Sequence, residues 1–141
     1  MKHVFLDTNV LLDFAFEERP GNAVAKIIMA AASSGKIAAY TSMKSLLDLS
    51  YFYTKGDKTR VRSVGRFIQD LRKSVKICDT LNRHISLAIS NYCVDFEDAV
   101  QTSIAIDNCC DLIISGDKGF DGTFGPPVVS PDEFCRKFFE E

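Results

Sequence analysis

The chain has 141 residues, of which 46% are hydrophobic and 26% charged, and its formal net charge is −2. This size and composition predict one folded domain, residues 1–141, with a sizeable apolar core. No apolar run reaches the ~18 residues needed to cross a membrane and no signal-peptide pattern opens the chain, so we expect neither a membrane protein nor a secreted one.

The five cysteines and two histidines favour neither disulfides nor a zinc site. The number of cysteines is odd and no two form a C-x-x-C pair, and neither histidine has a Cys or His at metal-ligand spacing. We therefore expect reduced thiols and a cytoplasmic protein. The residues concerned are Cys78, Cys93, Cys109, Cys110, Cys135, His3 and His84.

The charge is unevenly distributed along the chain. Residues 54–76 carry +6 and the remaining residues −8. Such a segment is typical of a surface that binds a polyanion, although a solvated helix gives the same pattern. Its basic residues are Lys55, Lys58, Arg60, Arg62, Arg66, Arg72, Lys73 and Lys76, and its expected core stripe is Val61, Val64, Phe67, Ile68 and Leu71.

Hydrophobic periodicity predicts short strands that alternate with helices. In chain order, the predicted elements are a strand at 4–6, helices at 10–14 and 22–34, a strand at 37–40, helices at 43–53 and 57–74, a strand at 75–78, helices at 81–89 and 96–109, strands at 111–115 and 126–129, and a terminal helix. A break is expected at 91–95, and a glycine-rich loop follows the fourth strand. The terminal helix begins at a capping box, Ser130-Pro131-Asp132-Glu133. This order predicts an α/β fold with a central parallel sheet of four to five short strands and helices on both faces.

The first predicted strand ends abruptly on Asp7. Val4, Phe5 and Leu6 before it are apolar, and helical spacing begins a few residues after it. An Asp at the carboxyl end of a strand in an open parallel sheet lies where such sheets bind ligands. The alternative is that Asp7 or Asn9 merely caps the next helix, a role that suits both residue types.

Three further carboxylates, those of Asp48, Asp98 and Asp117, are expected at the same edge of the sheet, and Asp95 accompanies them. Asp48 lies in the second turn of the helix after the second strand, Asp95 and Asp98 open the helix that leads into the fourth strand, and Asp117 follows that strand. Crowded carboxylates repel one another unless a cation intervenes. Because no Cys or His accompanies them, a hard ion is expected, Mg²⁺ or Mn²⁺. Such a site suits the hydrolysis of phosphodiester bonds.

Each of these acids also has a purely structural interpretation. Asp98 can complete a helix cap with Asp95, Asp117 can serve the turn that contains Gly116 and Gly119, and Asp48 can be a solvated helix residue. Their joint occurrence beside Asp7, at the stations where strands end and helices begin, favours the shared site.

These motifs resemble those of the PIN-domain family, the fold of many small metal-dependent ribonucleases, and particularly the branch that serves as toxins of bacterial and archaeal toxin–antitoxin pairs. The matching segments are Leu6-Asp7-Thr8-Asn9-Val10-Leu11-Leu12-Asp13, Thr41-Ser42 with Asp48 six residues after Ser42, Asp95-Phe96-Glu97-Asp98-Ala99-Val100-Gln101, and Ile114-Ser115-Gly116-Asp117-Lys118-Gly119-Phe120. They occur in order across essentially the whole chain. Two positions depart from the family pattern: Asp48 stands where Glu is commoner, and Gly116 where a basic residue is frequent.

The resemblance implies a PIN-like fold, endoribonuclease activity, an RNA substrate, an antitoxin that covers the site, and a homodimer. It also implies roles for individual side chains around a bound Mg²⁺ or Mn²⁺. The implied metal ligands are Asp7, Asp98 and Asp117, the fourth catalytic acid is Asp48, and the supporting residues are Asn9, Asp95 and Ser115.

The basic segment is the predicted contact for the RNA backbone, chiefly through Lys55, Lys58, Arg60, Arg62 and Arg66. The aromatic residues at 51–53 are candidates for stacking on bases, although aromatics at this spacing more often belong to a core. The Ala-rich helix at 22–34 is either a dimer interface or an ordinary core helix.

Two other functions share some features with this sequence. A non-catalytic PIN-like module that binds RNA or a protein would tolerate the departures at Asp48 and Gly116. A phosphatase of the haloacid-dehalogenase kind also begins with a strand ending in Asp, but its chemistry needs a second acid two residues later, where this chain has Asn9.

Overall fold

The structure is a computed structural model of the chain, and it describes residues 1–91, 95–120 and 124–140. Most of the break predicted at 91–95 and the centre of the predicted glycine-rich loop lie outside these residues. The described residues form one sheet of five strands, all paired in parallel, in the order β3-β2-β1-β4-β5. The strands are β1 (Lys2–Leu6), β2 (Ile37–Ser42), β3 (Val75–Cys78), β4 (Leu112–Ile114) and β5 (Val128–Val129). The predicted central parallel sheet is confirmed.

Helices connect the strands. They are α1 (Thr8–Ala15), α2 (Asn22–Ser33), α3 (Met43–Thr54), α4 (Val61–Leu71), α5 (Asn82–Asn91), α6 (Phe96–Asp107) and α7 (Pro131–Glu140), and a short 3₁₀ helix (Lys58–Arg60) precedes α4. The capping box at the start of α7 forms as predicted, because the Glu133 amide donates to Ser130 Oγ at 3.1 Å.

The prediction of a single basic helix over residues 57–74 is wrong in detail. The chain forms the 3₁₀ helix first, and α4 ends at Leu71. Asp57 accounts for the early turn, because its side chain accepts a hydrogen bond from the Thr59 amide at 3.0 Å and competes with a continuous helix. Val61, expected in the core stripe, is 59% exposed, whereas Val64 and Leu71 are buried.

Helices cover both faces of the sheet. Val4 and Leu6 of β1 pack into a layer that also contains side chains of α1, α2, α3, α4 and α7. Phe5 points to the other face and packs against Ile104 and Ala105 of α6, as alternation along a strand requires. β1 is therefore buried on both faces, which explains its uninterrupted apolar run. The Ala-rich α2 belongs to the first layer and is an ordinary core helix.

The register of the central strands brings their carboxyl ends to one edge. Leu6 of β1 pairs with Ile114 of β4, and Phe5 pairs with Tyr40 of β2. The Asp7 amide continues this ladder by donating to the Ile114 carbonyl oxygen at 3.0 Å. The residues that follow β1 and β4, beginning with Asp7 and Ser115, therefore lie side by side.

Helix α5 is attached to the molecule mainly through α6. His84, which is 3% exposed, accepts a hydrogen bond at Nδ1 from the Leu81 amide and donates from Nε2 to Asp107 at 2.8 Å. Arg83 also donates to Asp107, and these hydrogen bonds from Arg83 and His84 lower the pKa of the Asp107 carboxyl. Most apolar residues of the predicted segment face outward instead of inward: Leu81, Ile85, Leu87 and Ile89 are 36–64% exposed, and Ala88 is buried.

Two helices end in the same left-handed cap. After α2, the amides of Gly35 and Lys36 donate to the carbonyl oxygens of Ala32 and Ala31, and φ of Gly35 is +77°. After α6, the amides of Cys109 and Cys110 make the equivalent bonds, and φ of Cys109 is +56°. Glycine suits this position, whereas a side chain there is strained.

Cys109→Gly is therefore expected to raise the free energy of unfolding by about 1 kcal/mol, because glycine relieves the left-handed strain. The matched control is Gly35→Ala, which should lower it by about 1 kcal/mol at the equivalent position. No atom lies within 4 Å of a Cβ added at Gly35, so that effect is conformational rather than steric. Urea denaturation measures both, and a destabilised Cys109→Gly variant would contradict the prediction.

Candidate functional site

Asp7 stands at the carboxyl end of β1 and is half-buried. Its Oδ2 accepts a hydrogen bond from Ser115 Oγ at 2.9 Å, and its Oδ1 accepts one from Gln101 Nε2 at 3.4 Å. Although Asp7 occupies the N-cap position of α1, its side chain makes no capping hydrogen bond. The capping interpretation of Asp7 is therefore wrong, and the carboxylate faces the residues of β4 and α6.

The loop after β4 is tied to the start of α1 by the two residues predicted as supports. Asn9 Oδ1 accepts a hydrogen bond from the Gly116 amide at 3.0 Å, so Asn9 does not cap α1 either. Ser115 Oγ donates to Asp7 and also accepts from the Asp117 amide at 3.1 Å. One hydroxyl group therefore links the Asp7 carboxylate to the backbone of Asp117.

Asp117 lies within this loop and is exposed. Its Oδ1 accepts a hydrogen bond from the Gly119 amide at 2.8 Å, so the side chain also serves its own turn, as the structural interpretation expected. A groove with a volume of about 610 Å³ opens beside it. The groove is lined by Asp13, Pro20, Gly21, Val24, Ser115, Gly116, Asp117 and Lys118, and by residues of β5 and the start of α7.

Asp48 lies on α3 and is held by a lysine that the sequence did not single out. Lys44 Nζ donates to Asp48 Oδ2 at 2.5 Å and also to Glu97 of α6. Thr8 Oγ1 lies 3.5 Å from the same Asp48 oxygen and 2.9 Å from Ser45 Oγ. Asp48 is therefore not a freely solvated helix residue, since Lys44 joins it to α6 and Thr8 brings it near the end of β1.

Burial alone would lower the pKa of the Lys44 ammonium, but the hydrogen bonds to Asp48 and Glu97 outweigh it and raise that pKa above its usual value. The positive charge thus remains between the two carboxylates at neutral pH. It offsets part of the repulsion that two acids on neighbouring helices would otherwise feel.

Asp95 and Asp98 open α6. Asp95 Oδ1 accepts a hydrogen bond from the Asp98 amide at 3.0 Å, so Asp95 is the N-cap of the helix. Asp98 is 9% exposed, which is unusual for a carboxylate and requires compensation. One turn later on the same face, Gln101 is 2% exposed and donates to Ser45 Oγ of α3 at 2.9 Å.

Gln101 and its neighbour Thr102 carry the two side-chain atoms that are buried without a hydrogen-bond partner in the part of the chain that the structure describes. These atoms are Gln101 Oε1 and Thr102 Oγ1. A buried polar atom without a partner costs about 1–3 kcal/mol, so each requires a reason. The one signal for Gln101 that could be read along the chain is its position three residues after Asp98.

Hydrogen bonds join Asp7 to Ser115 and Ser115 to the backbone of Asp117, and Asn9 is tied to the same loop through Gly116. Gln101, Ser45 and Thr8 extend this network to Asp48. Across residues 1–91, 95–120 and 124–140, however, no group of three or more His, Cys, Asp or Glu side chains is arranged so that it could hold a metal ion. Asp7, Asp48 and Asp117 are therefore linked at one edge of the sheet, and Asp98 lies one turn before Gln101 on α6, but these acids do not form a closed cage in the described residues.

Among the described residues, the side chains that contact Asp7 or Asp48 offer neither a thiol nor an imidazole. His3 Nδ1 lies 2.7 Å from the Tyr40 hydroxyl and His84 bonds to Asp107, so both histidines are engaged elsewhere. Burial raises the pKa of the Cys78 thiol and raises that of Cys110 to about 12, which keeps these thiols protonated at neutral pH.

The basic residues predicted to contact RNA are all exposed, and they lie at the end of α3, in the 3₁₀ helix and in the first two turns of α4. They are Lys55, Lys58, Arg60, Arg62 and Arg66. Among the aromatic candidates, Tyr51 and Phe52 are exposed, whereas the Tyr53 ring packs against Phe16 and Phe67.

The parallel sheet, with Asp7 at the end of β1 and Asp117 in the loop after β4, indicates the class of protein. The family described as PIN domain matches residues 3–119, and the chain therefore belongs to the PIN-domain family. No helix in the described residues is both long and apolar enough to span a membrane.

The individual relatives have low sequence identity to this chain. Ribonuclease VapC1 of Aquifex aeolicus (strain VF5) is 27% identical, over 96% of this chain and 94% of that protein. A toxin–antitoxin complex from Klebsiella pneumoniae has a similar fold, with a TM-score of 0.66, 17% identity, and coverage of 91% of this chain and 97% of that one. VapBC2 from Rickettsia felis, bound to a DNA fragment from its promoter, gives a TM-score of 0.67 at 12% identity, over 91% of this chain and 98% of that one.

The Lys44 bridge makes a prediction about pH. Because folding raises the pKa of Lys44, the stability that it contributes is fully present below its usual pKa of 10.5 and is lost as the pH rises through the higher folded value. The difference in unfolding free energy between the native chain and Lys44→Met should therefore shrink above about pH 10.5. Urea denaturation from pH 8 to about pH 11.5 measures it.

The control for this series is Lys36→Met, since Lys36 is exposed and forms no ion pair within the described residues. The difference in unfolding free energy between Lys36→Met and the native chain should not change with pH in the same way. A Lys44→Met difference that stays constant through alkaline pH would show that the bridge contributes no stability.

Proposed function

We propose that this protein is a metal-dependent endoribonuclease that hydrolyses RNA phosphodiester bonds and acts as the toxin of a toxin–antitoxin pair. The observation that carries the proposal is the environment of Asp7: its carboxylate ends a strand that is buried on both faces, does not cap the following helix, and is held by Ser115 and Gln101. Membership of the PIN-domain family and the similarity to a protein named ribonuclease VapC1 support the same activity.

The proposed metal ligands are Asp7, Asp98 and Asp117, and the proposed ion is Mg²⁺ or Mn²⁺. The all-oxygen donor set fits such a hard ion, and no soft ligand of the described residues competes for it. Bound there, a divalent ion supplies an activated water and polarises the phosphoryl group. Asp117 hydrogen-bonds to Gly119, so its side chain would have to turn toward Asp7 to take part.

The remaining residues of the cluster position these acids. Ser115 holds Asp7 and the backbone of Asp117, Asn9 fixes the loop through Gly116, and Asp95 caps the helix that presents Asp98. Asp48 is the proposed fourth acid of the catalytic centre. It is paired with Lys44, which limits the negative charge that the site accumulates.

We further propose the partners and location that go with this activity: an antitoxin, a second copy of the chain, and the cytoplasm. The fold similarity to a toxin–antitoxin complex supports the first. A set of exposed apolar side chains on α3 and around α5 supports association of two copies, since such surfaces are usually covered. It comprises Met43, Leu47, Tyr51, Leu81, Ile85 and Ile89. Light scattering of the purified chain gives its mass, and a monomer at micromolar concentration would argue against the dimer.

A non-catalytic PIN-like module is the second candidate. The observations that favour it are the Lys44 ammonium bound to Asp48 and the absence of a ready-made metal cage in the described part of the chain. Such a module would bind RNA or a protein without cleaving RNA, and its stability would not respond to Mg²⁺ or Mn²⁺.

Asp7→Asn is expected to reduce Mn²⁺-dependent RNA cleavage by more than about 100-fold, since even the partners that orient metal ligands are worth about 10–100-fold. EDTA should abolish cleavage by the native chain, and added Mn²⁺ should restore it. Gel analysis of a labelled RNA measures the cleavage rate. The control is Asp107→Asn, which removes a carboxylate at the opposite end of α6 and should leave the rate unchanged.

Cleavage that persists in EDTA, or in Asp7→Asn, would contradict the metal-dependent mechanism. RNA binding by the native chain without cleavage in Mg²⁺ or Mn²⁺ would favour the non-catalytic module.

Within the basic segment, the exposed side chains of Lys55, Lys58, Arg60, Arg62 and Arg66 are expected to bind the RNA backbone. Replacing Arg62 and Arg66 by alanine should weaken binding of RNA, and should reduce the dependence of log K on log salt by about 0.7 for each phosphate of a single strand that is no longer neutralised. The measurement is a fluorescence titration at several salt concentrations in the Asp7→Asn background. The matched control is the double alanine variant of Arg72 and Lys73, just beyond the other end of α4, and equal effects of both pairs would contradict the assignment.

A further inference from the structure

Gln101 is the residue that connects the proposed metal site to the interior of the molecule. It lies on α6 one turn after Asp98 and is 2% exposed. Its amide nitrogen faces two elements at once, because Nε2 lies 2.9 Å from Ser45 Oγ of α3 and 3.4 Å from Asp7 Oδ1 at the end of β1. One side chain therefore joins α6 both to α3 and to the carboxylate at the strand end.

The two oxygens of the Asp7 carboxylate are contacted from different sides. Ser115 Oγ of the loop after β4 donates to Oδ2, and Gln101 Nε2 of α6 donates to Oδ1. A single donor leaves a carboxylate free to rotate about its terminal bond, whereas donors to both oxygens define the plane of the group. The Gln101 contact therefore adds an orientation that Ser115 alone does not provide.

The orientation of the Gln101 amide follows from its neighbours. An ionised Asp7 only accepts hydrogen bonds, so the nitrogen must face it and Oε1 must face away. In that orientation Oε1 is buried without a partner in the described structure. For packing alone, a methionine of similar size would fill the same space and leave no unpaired polar atom. The hydrogen bond to Ser45 offsets part of this cost, but packing does not require the second contact of the amide, to Asp7.

We propose that Gln101 is a positioning residue that orients the Asp7 carboxylate for metal binding. The inference rests on the proposed function, since it requires Asp7 to be a metal ligand. Removing the amide should affect stability and metal binding differently. It eliminates an unpaired buried oxygen, and it also leaves one oxygen of the Asp7 carboxylate without its donor. Outer partners of metal ligands typically act in this way.

The test is the affinity of Gln101→Met for Mn²⁺, measured without RNA by electron paramagnetic resonance of the free ion. We expect affinity to fall by about 10-fold or more, as for other residues that orient metal ligands. The melting temperature of the metal-free variant should stay close to that of the native chain, because the loss of the hydrogen bond to Ser45 is offset by the removal of the unpaired buried oxygen. Cleavage at limiting Mn²⁺ should fall in parallel. A structural role would predict the opposite pattern, with a lower melting temperature and unchanged affinity.

Two variants serve as controls. Thr102→Val removes the neighbouring buried hydroxyl, which has no partner in the described residues, and should leave Mn²⁺ affinity unchanged. Ser45→Ala removes the other acceptor of Gln101 without touching its contact with Asp7. It should lower the melting temperature and change Mn²⁺ affinity by less than about twofold, well below the effects typical of partners that orient ligands.

Unchanged Mn²⁺ affinity in Gln101→Met, while Asp7→Asn no longer binds the ion, would overturn the inference and leave the proposed function intact. A decrease in Ser45→Ala equal to that in Gln101→Met would also overturn it, because the tie between helices would then be responsible. Failure of the native chain to bind Mn²⁺ better than Asp7→Asn would instead overturn the proposed function.

Discussion

A carboxylate at the end of a strand that is buried on both faces is the constraint on which this molecule depends. The strand must be apolar to lie between two helical layers, yet Asp7 follows it immediately and cannot be left unsatisfied. Donors therefore have to come from whatever lies beside the strand end. The parallel register places Ser115, which follows the neighbouring strand, at that point, and the covering helix supplies Gln101.

The sequence predicted the sheet and most helices because these depend on local signals. Apolar runs mark the strands, and Gly35 and the Ser130 capping box mark helix ends in ways that backbone geometry enforces. The prediction of one long basic helix was wrong because the Asp57 side chain accepts a hydrogen bond from the backbone two residues later, and hydrophobic periodicity does not reveal such a contact. The segment of α5 was misleading for a related reason: its apolar residues repeat as in a core helix, but most of them face away from the fold.

The positions of the acids at strand ends and helix starts could be predicted from the sequence, whereas their contacts with other side chains could not. Asp7, Asp98 and Asp117 could be found because strand ends and helix starts can be read from the sequence. Lys44 and Gln101 act across helices, and the contacts that give them meaning exist only in the folded chain. Their sole local signal is helical spacing from Asp48 and Asp98, a spacing that many surface residues share.

The two outer strands of the sheet have a consequence for solubility. An open sheet edge is a template on which another chain can add a strand. Here one edge, β3, carries the exposed Lys76 at its centre, and the other, β5, is two residues long and follows Pro126 and Pro127. Both features discourage edge-to-edge growth and the aggregation that follows from it. Contacts between copies are thereby directed to helical surfaces, where side chains rather than backbone amides determine which molecules associate.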